Sequence, residues 1–128
     1  VISHLTLGTN NLDLAIQYYD RVLALLSAKQ IAKTDSVVFY EFPESSTKLA
    51  ITKPHNNDVA TFGNGTMLAL KVDSDRLVKD IYELALSLNS KCEGEPGPRN
   101  NGAYFAAYFR DLDGNKIAVF HRGKGANT

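Results

Sequence analysis

The sequence predicts an α+β protein in which one strand–helix–strand–strand–strand unit is used twice. Three observations carry this. Short stretches alternate apolar and polar side chains with a period of two, two longer stretches place apolar residues three and four apart, and the order of elements repeats. Laying His4 over Met67 aligns Leu5 with Leu68, Leu7 with Leu70, Tyr19 with Tyr82 and Leu23 with Leu86 without a gap. Lys48-Leu49-Ala50-Ile51 likewise overlays Lys116-Ile117-Ala118-Val119. Two copies are too few for a solenoid and fit one pseudo-symmetric domain over residues 1–122, with units at about 2–53 and 66–122.

The elements follow in order. Ser3–Thr9 alternates as a strand, with Leu5 and Leu7 on one face and His4 and Thr6 on the other. Asn10 or Asn11 can cap a helix whose apolar positions are Leu12, Ala15, Ile16, Tyr19, Leu23 and Leu26. Strands are expected at Lys29–Lys33, Val37–Phe42 and Lys48–Thr52. Pro54–Thr66 is a linker, rich in turn formers and without helical or strand period. Met67–Val72 alternates again, and Asp73 or Ser74 can cap a second helix carrying Leu77, Val78, Ile81, Tyr82, Ala85 and Leu88. Lys91–Glu93 reads as a strand. Gly94–Gly102 holds two prolines, three glycines and two asparagines and reads as a mobile loop.

The last part of the chain is a β-hairpin. Tyr104, Ala106, Tyr108 and Arg110 point one way and Phe105, Ala107 and Phe109 the other; Lys116, Ala118 and Phe120 share a face opposite Ile117 and Val119. Between the strands, Asp111-Leu112-Asp113-Gly114-Asn115 supplies residues that tolerate a positive φ. The polar, glycine-containing stretch 123–128 reads as a flexible tail.

Composition narrows the function classes. The chain has 128 residues, 44% of them hydrophobic, enough for about one domain with a real core. Net charge is zero without a basic cluster, so no nucleic-acid footprint is present. No apolar run approaches the roughly 20 residues needed to span a bilayer, and the first residues lack the basic lead of a secretory signal. Cys92 is the single cysteine, which excludes an internal disulfide and fits a reducing cytoplasm. As a site it is weak, since a lone cysteine between Lys91 and Glu93 on an expected strand is more often incidental than a nucleophile, and no Ser-His-Asp spacing, phosphate-cradling glycine loop or Cys-X-X-Cys is present.

The hairpin and the repeat together resemble the vicinal oxygen chelate superfamily of glyoxalases, bleomycin-resistance proteins and extradiol dioxygenases. The matching stretches are Ile2-Ser3-His4, Gly63-Asn64-Gly65-Thr66, Tyr104-Phe105-Ala106-Ala107-Tyr108 and Asp113-Gly114-Asn115-Lys116-Ile117, in that order, over about residues 2–122. The resemblance implies an open, concave mixed sheet with helices outside and small-molecule chemistry in the concavity. In metal-dependent relatives, ligands come from the first strand of each unit and the last strand of one or both. Here those positions are His4, Met67, Ala118 and Ala50. Only His4 can ligate a hard divalent ion, since a thioether suits soft metals and alanine offers nothing.

On this basis the expected cofactor is none, with a divalent metal as the alternative. The candidate ligand-binding residues are His4, Tyr40, Met67, Tyr104, Tyr108, Arg110, Lys116 and Ala118, with Tyr40 taken as the repeat partner of Tyr108. His4 reads either as a residual ligand or as a neutral imidazole hydrogen-bonding within the trough. Tyr104 and Tyr108 combine apolar area with a hydrogen-bonding tip, whereas Tyr18, Tyr19 and Tyr82 sit at core spacing. Arg110, Lys48 and Lys116 either hold an anionic substrate or snorkel at the rim. Three readings stay open. One is a metal-free protein that binds a small, partly aromatic or anionic compound. Another is an enzyme, with a metal site displaced to His4, His121 and Glu41 or with His4 and Tyr104 or Tyr108 as acid and base. The last is a scaffold whose trough its own side chains fill. A homodimer in the cytoplasm is the family expectation.

Overall fold

Each helix begins where a short polar side chain can accept an otherwise unpaired backbone N–H. The Leu14 N–H donates to Asn11 Oδ1 at 3.0 Å, and the Leu77 N–H donates to Ser74 Oγ at 3.0 Å. The structure, a computed structural model, describes residues 1–123; most of the expected tail at 123–128 lies outside the described residues. The first unit spans Val1–Phe62 and contains β1 (His4–Gly8), α1 (Leu12–Ala24), β2 (Lys29–Lys33), β3 (Val37–Phe42) and β4 (Ser45–Thr52). The second starts at Gly63 and contains β5 (Leu68–Lys71), α2 (Asp75–Ser87), β6 (Lys91–Arg99), β7 (Tyr104–Arg110) and β8 (Lys116–His121). The doubled strand–helix–strand–strand–strand order is thus observed.

Each unit forms its own open four-stranded mixed sheet with the helix on one face. The orders are β1-β4-β3-β2 and β5-β8-β7-β6. First and last strands pair in parallel, Leu5 with Leu49 and Leu68 with Ile117, while the remaining neighbours are antiparallel. In the first unit Tyr18, Tyr19, Val22 and Leu23 of α1 are buried along with Val38, Leu49 and Ile51 of the sheet. In the second, Val78, Ile81 and Ala85 of α2 are buried along with Phe109, Ile117 and Val119. Each fully buried aliphatic or aromatic side chain stabilises the fold by roughly 1.5–3 kcal/mol relative to exposure.

The outer strands depart from expectation. Leu5, Leu7, Leu68 and Leu70 lie on the helix side by alternation, yet Leu5 is 43% exposed and the other three are half-buried. The reason is position: β1 and β5 are outermost and have a neighbour on one side only. The stretch expected to be a loop, Gly94–Gly102, is strand as far as Arg99. Pro96 and Pro98 are tolerated because β6 is an edge strand, and the register shifts between Cys92 and Gly94 and between Gly94 and Gly97 absorb the irregularity. Asn100, Asn101 and Gly102 then turn the chain with positive φ of 50°, 55° and 86°.

The final hairpin is fastened by a buried carboxylate. Asp111 Oδ1 accepts from the backbone N–H of Asp113 at 2.9 Å and of Asn115 at 2.8 Å, and Oδ2 accepts from Asn115 Nδ2 at 2.9 Å. Gly114 turns with φ of 88°. Asp111 therefore serves the turn, as its place in the sequence predicts. The linker is tied down too, since Asn10 both accepts from the Ala60 N–H at 2.7 Å and donates to the Ala60 carbonyl at 3.2 Å.

Tyr40 requires a correction. It pairs with Leu49 on the helix side, is 1% exposed, and donates its hydroxyl to Asp20 Oδ1 of α1 at 2.7 Å. Phe39 pairs with Ala50 as Tyr108 pairs with Ala118, because the stretch from β3 to β4 is one residue longer than that from β7 to β8; Phe39, and not Tyr40, is the counterpart of Tyr108. Burial first, and then the Asp20 carboxylate, raise the Tyr40 phenol pKa well above its ordinary value. The folded chain holds that proton more tightly than the unfolded chain. The associated stability is therefore complete below about pH 10 and is lost as pH rises further. Tyr40→Phe is expected to cost about 1 kcal/mol at neutral pH. It should also flatten the alkaline fall in stability measured by urea unfolding between pH 9 and pH 11; an unchanged alkaline slope would contradict the assignment.

Candidate functional site

Strand alternation gives the second unit a face that α2 does not cover. On it β7 presents Tyr104, Ala106, Tyr108 and Arg110, and β8 presents Lys116, Ala118 and Phe120, with Tyr108 opposite Ala118 and Ala106 opposite Phe120. The two alanines form a low floor, Ala106 fully buried and Ala118 3% exposed, between half-buried aromatic rings. Tyr104 and Phe120 meet edge to face, with centroids 6.3 Å apart at 78°. The opposite side of β7 belongs to the helix: Lys79 of α2 lies 5.6 Å from the Phe105 ring centroid.

Cations stand over these rings. Arg99 and Lys116 each lie 5.5 Å from the Tyr108 centroid. Arg122 lies 5.9 Å from that of Tyr104 and 5.3 Å from that of Phe120. Such contacts are each worth about 0.5–1 kcal/mol when exposed, enough to bias where long side chains rest. Two glycines of β6 make the room. A β-carbon at Gly94 would sit 2.9 Å from Tyr108 Cδ2, and one at Gly97 would sit 3.1 Å from an Arg99 guanidinium nitrogen. Both glycines are therefore explained by close approach to this face.

Arg110 is engaged at the end of the face. Its Nε donates to Glu93 Oε1 at 2.6 Å and one terminal nitrogen donates to the Gly114 carbonyl at 3.0 Å. The Arg110 guanidinium holds the Glu93 carboxyl below the usual carboxylate range, so Glu93 stays ionised and offsets Arg110. The Tyr108 phenol is shifted upward, by the neighbouring Tyr104 hydroxyl first and burial second. It is neutral at physiological pH and able to donate a hydrogen bond.

Five of the eight residues predicted from sequence thus come together here: Tyr104, Tyr108, Arg110, Lys116 and Ala118. Met67 precedes β5 and is 46% exposed. His4 belongs to the first sheet, where its ring meets Phe39 at 5.3 Å and Nδ1 lies 3.0 Å from Ser3 Oγ. Tyr40 lies on the helix side. Sequence reading missed Arg99 and Arg122. The first fell in a stretch read as loop, and the second lies past the last strand, where alternation gives no direction.

The donor set does not fit a divalent ion. In the first unit, the positions that would supply ligands carry one imidazole, His4, and the methyl of Ala50; in the second they carry the thioether of Met67 and the methyl of Ala118. No group of three or more histidine, cysteine, aspartate or glutamate residues able to hold a metal exists among the described residues. His121, a candidate for a displaced site, has Nδ1 2.8 Å from Asp75 Oδ1 at the start of α2.

With this geometry established, likeness to known proteins carries weight. Residues 1–119 match the sequence profile of the Glyoxalase/Bleomycin resistance protein/Dioxygenase superfamily. The chain belongs to that superfamily. A crystal structure of a glyoxalase/bleomycin resistance protein from Albidiferax ferrireducens T118 is similar at 32% identity and a TM-score of 0.86, over 95% of this chain and 98% of that one. A glyoxalase-related enzyme from Fulvimarina pelagi shares the fold at 16% identity and a TM-score of 0.80, over 99% and 95% of the two chains. So does a genomically encoded fosfomycin resistance protein from Listeria monocytogenes, at 16% identity and a TM-score of 0.74, over 100% and 98%. No curated protein matches the sequence.

This superfamily member is expected to bind nickel, manganese or zinc only weakly and without defined stoichiometry in calorimetric titrations. A single stoichiometric site would contradict the reading of its donor set.

Proposed function

We propose that this superfamily member is a metal-free small-molecule-binding protein whose ligand lies on the open face of the second sheet. The observation that carries the reading is the gathering of Tyr104, Tyr108 and Phe120 around the alanine floor of a face lacking ligands for a hard metal ion. A mostly apolar surface with a few placed polar groups is what small-molecule sites share. Fold alone would not distinguish binding from catalysis. The rings of Tyr104, Tyr108 and Phe120 supply contact area along their uncovered edges, and the paired Tyr104 and Tyr108 hydroxyls supply hydrogen-bonding groups.

The single Cys92 is consistent with the cytoplasm. No helix among the described residues is long and apolar enough to cross a membrane. The outermost strands favour a homodimer. β1 leaves Leu5 exposed, and Met67 is exposed just ahead of β5; unpaired sheet edges of this kind are usually covered. Light scattering on this chain is expected to give twice its 14.0 kDa mass; a monomer at all concentrations would contradict the dimer.

A thermal-shift screen against a broad small-molecule library tests the binding reading. A compound that raises the midpoint should lose its effect on Tyr108→Ala and keep it on Tyr82→Phe, a change on α2. Hits indifferent to Tyr108→Ala, or none at all, would overturn the proposal.

A further inference from the structure

The ring faces on the second sheet are already occupied, and this sets the sign of the ligand. An aromatic surface that selects cations leaves its ring faces open to them. Here Arg99 and Lys116 cap Tyr108, and Arg122 caps Tyr104 and Phe120. A cationic ligand would have to displace side chains of its own charge. Among the described residues no carboxylate forms an ion pair with Arg99, Lys116 or Arg122. Glu93, the nearby acid, is taken by Arg110. Glu95 offers Arg99 only its backbone carbonyl, at 2.8 Å, while its carboxylate acts on Tyr82 of α2.

The geometry points to a planar aromatic or conjugated acid as the ligand, its flat body against the rings of Tyr104, Tyr108 and Phe120 and its carboxylate, sulfonate or phosphonate held by Arg99, Lys116 and Arg122. This rests on the binding reading proposed above and adds its charge and shape. The shape follows from the half-buried rings of Tyr104, Tyr108 and Phe120, which stand around the small, buried Ala106 and Ala118. The charge follows from two guanidinium groups, planar forks whose paired N–H donors match the oxygens of such acids. Arg99 is placed for this role. Gly94 and Gly97 leave space for it to fold back over Tyr108, and its bonds to the Glu95 and Pro98 carbonyls fix its approach.

Three probes with one ring system separate charge from shape: 2-naphthoate, 2-naphthylmethanol and 2-naphthylmethylammonium. Calorimetry gives affinities and amide NMR shifts give the location. Naphthoate is expected to shift the Tyr104, Tyr108 and Ala118 amides and to bind about tenfold or more tightly than the alcohol, as charge-assisted hydrogen bonds allow. The ammonium should be weakest. Arg99→Gln with Arg122→Gln, both surface changes checked by circular dichroism, should remove most of the naphthoate advantage and leave the alcohol unaffected. Added salt should weaken naphthoate alone. If the alcohol or the ammonium matches naphthoate on this face, the charge inference falls and the binding face stands. If no probe shifts this face, both fall.

Discussion

The pairing of β7 with β8 is the constraint on which the rest of the structure depends. With Tyr108 opposite Ala118 and Phe109 opposite Ile117, every side chain of the hairpin is assigned to a face. Phe109, Ile117 and Val119 go to the core beneath α2; Tyr104, Tyr108, Lys116 and Phe120 go to the open side. A slip of one residue would exchange the two sets, burying lysine and exposing the core, so the core itself enforces the register. Asp111 holds the turn at the length this register needs, through three hydrogen bonds to the loop it encloses.

The same chemistry recurs in the first unit with a different outcome. There the register sets Phe39 opposite Ala50 and sends Tyr40 to the helix, where it anchors Asp20. The first open face therefore has a histidine and a phenylalanine in contact, whereas the second has two tyrosines, a phenylalanine and three cations over them. The architecture occurs twice, and its two open faces differ in the side chains they carry.

Much of this was legible in the sequence, and the limits have physical causes. Alternation in Tyr104–Arg110 and Lys116–Phe120 placed each hairpin side chain correctly because β8 is flanked on both sides and β7 packs on a helix. The caps were legible to within one residue, Asn10 or Asn11 and Asp73 or Ser74, since few side chains can do it; the structure uses Asn11 and Ser74. The pairing of β3 with β4 was not legible, because one more residue between two strands leaves no mark on composition; that misplaced Tyr40. Prolines hid β6, as they argue against a strand unless it lies at an edge, and edge position depends on contacts distant in sequence. Arg99 and its two glycines were lost with it. Leu5 and Leu68 show the converse: their pattern reads as core, but the order of strands decides how much covers them.

The adjacent residues Ala106 and Ala107 offer the most direct test of where a ligand sits, because alternation puts their methyl groups on opposite faces of one strand. Methyl NMR of alanine-labelled protein, titrated with a compound that stabilises it, reads both faces in one spectrum. The Ala106 and Ala118 methyl signals are expected to move together while the Ala107 signal stays in place. Movement of Ala107 with Ala106 and Ala118 unchanged would put the ligand on the helix side and contradict binding on the open face.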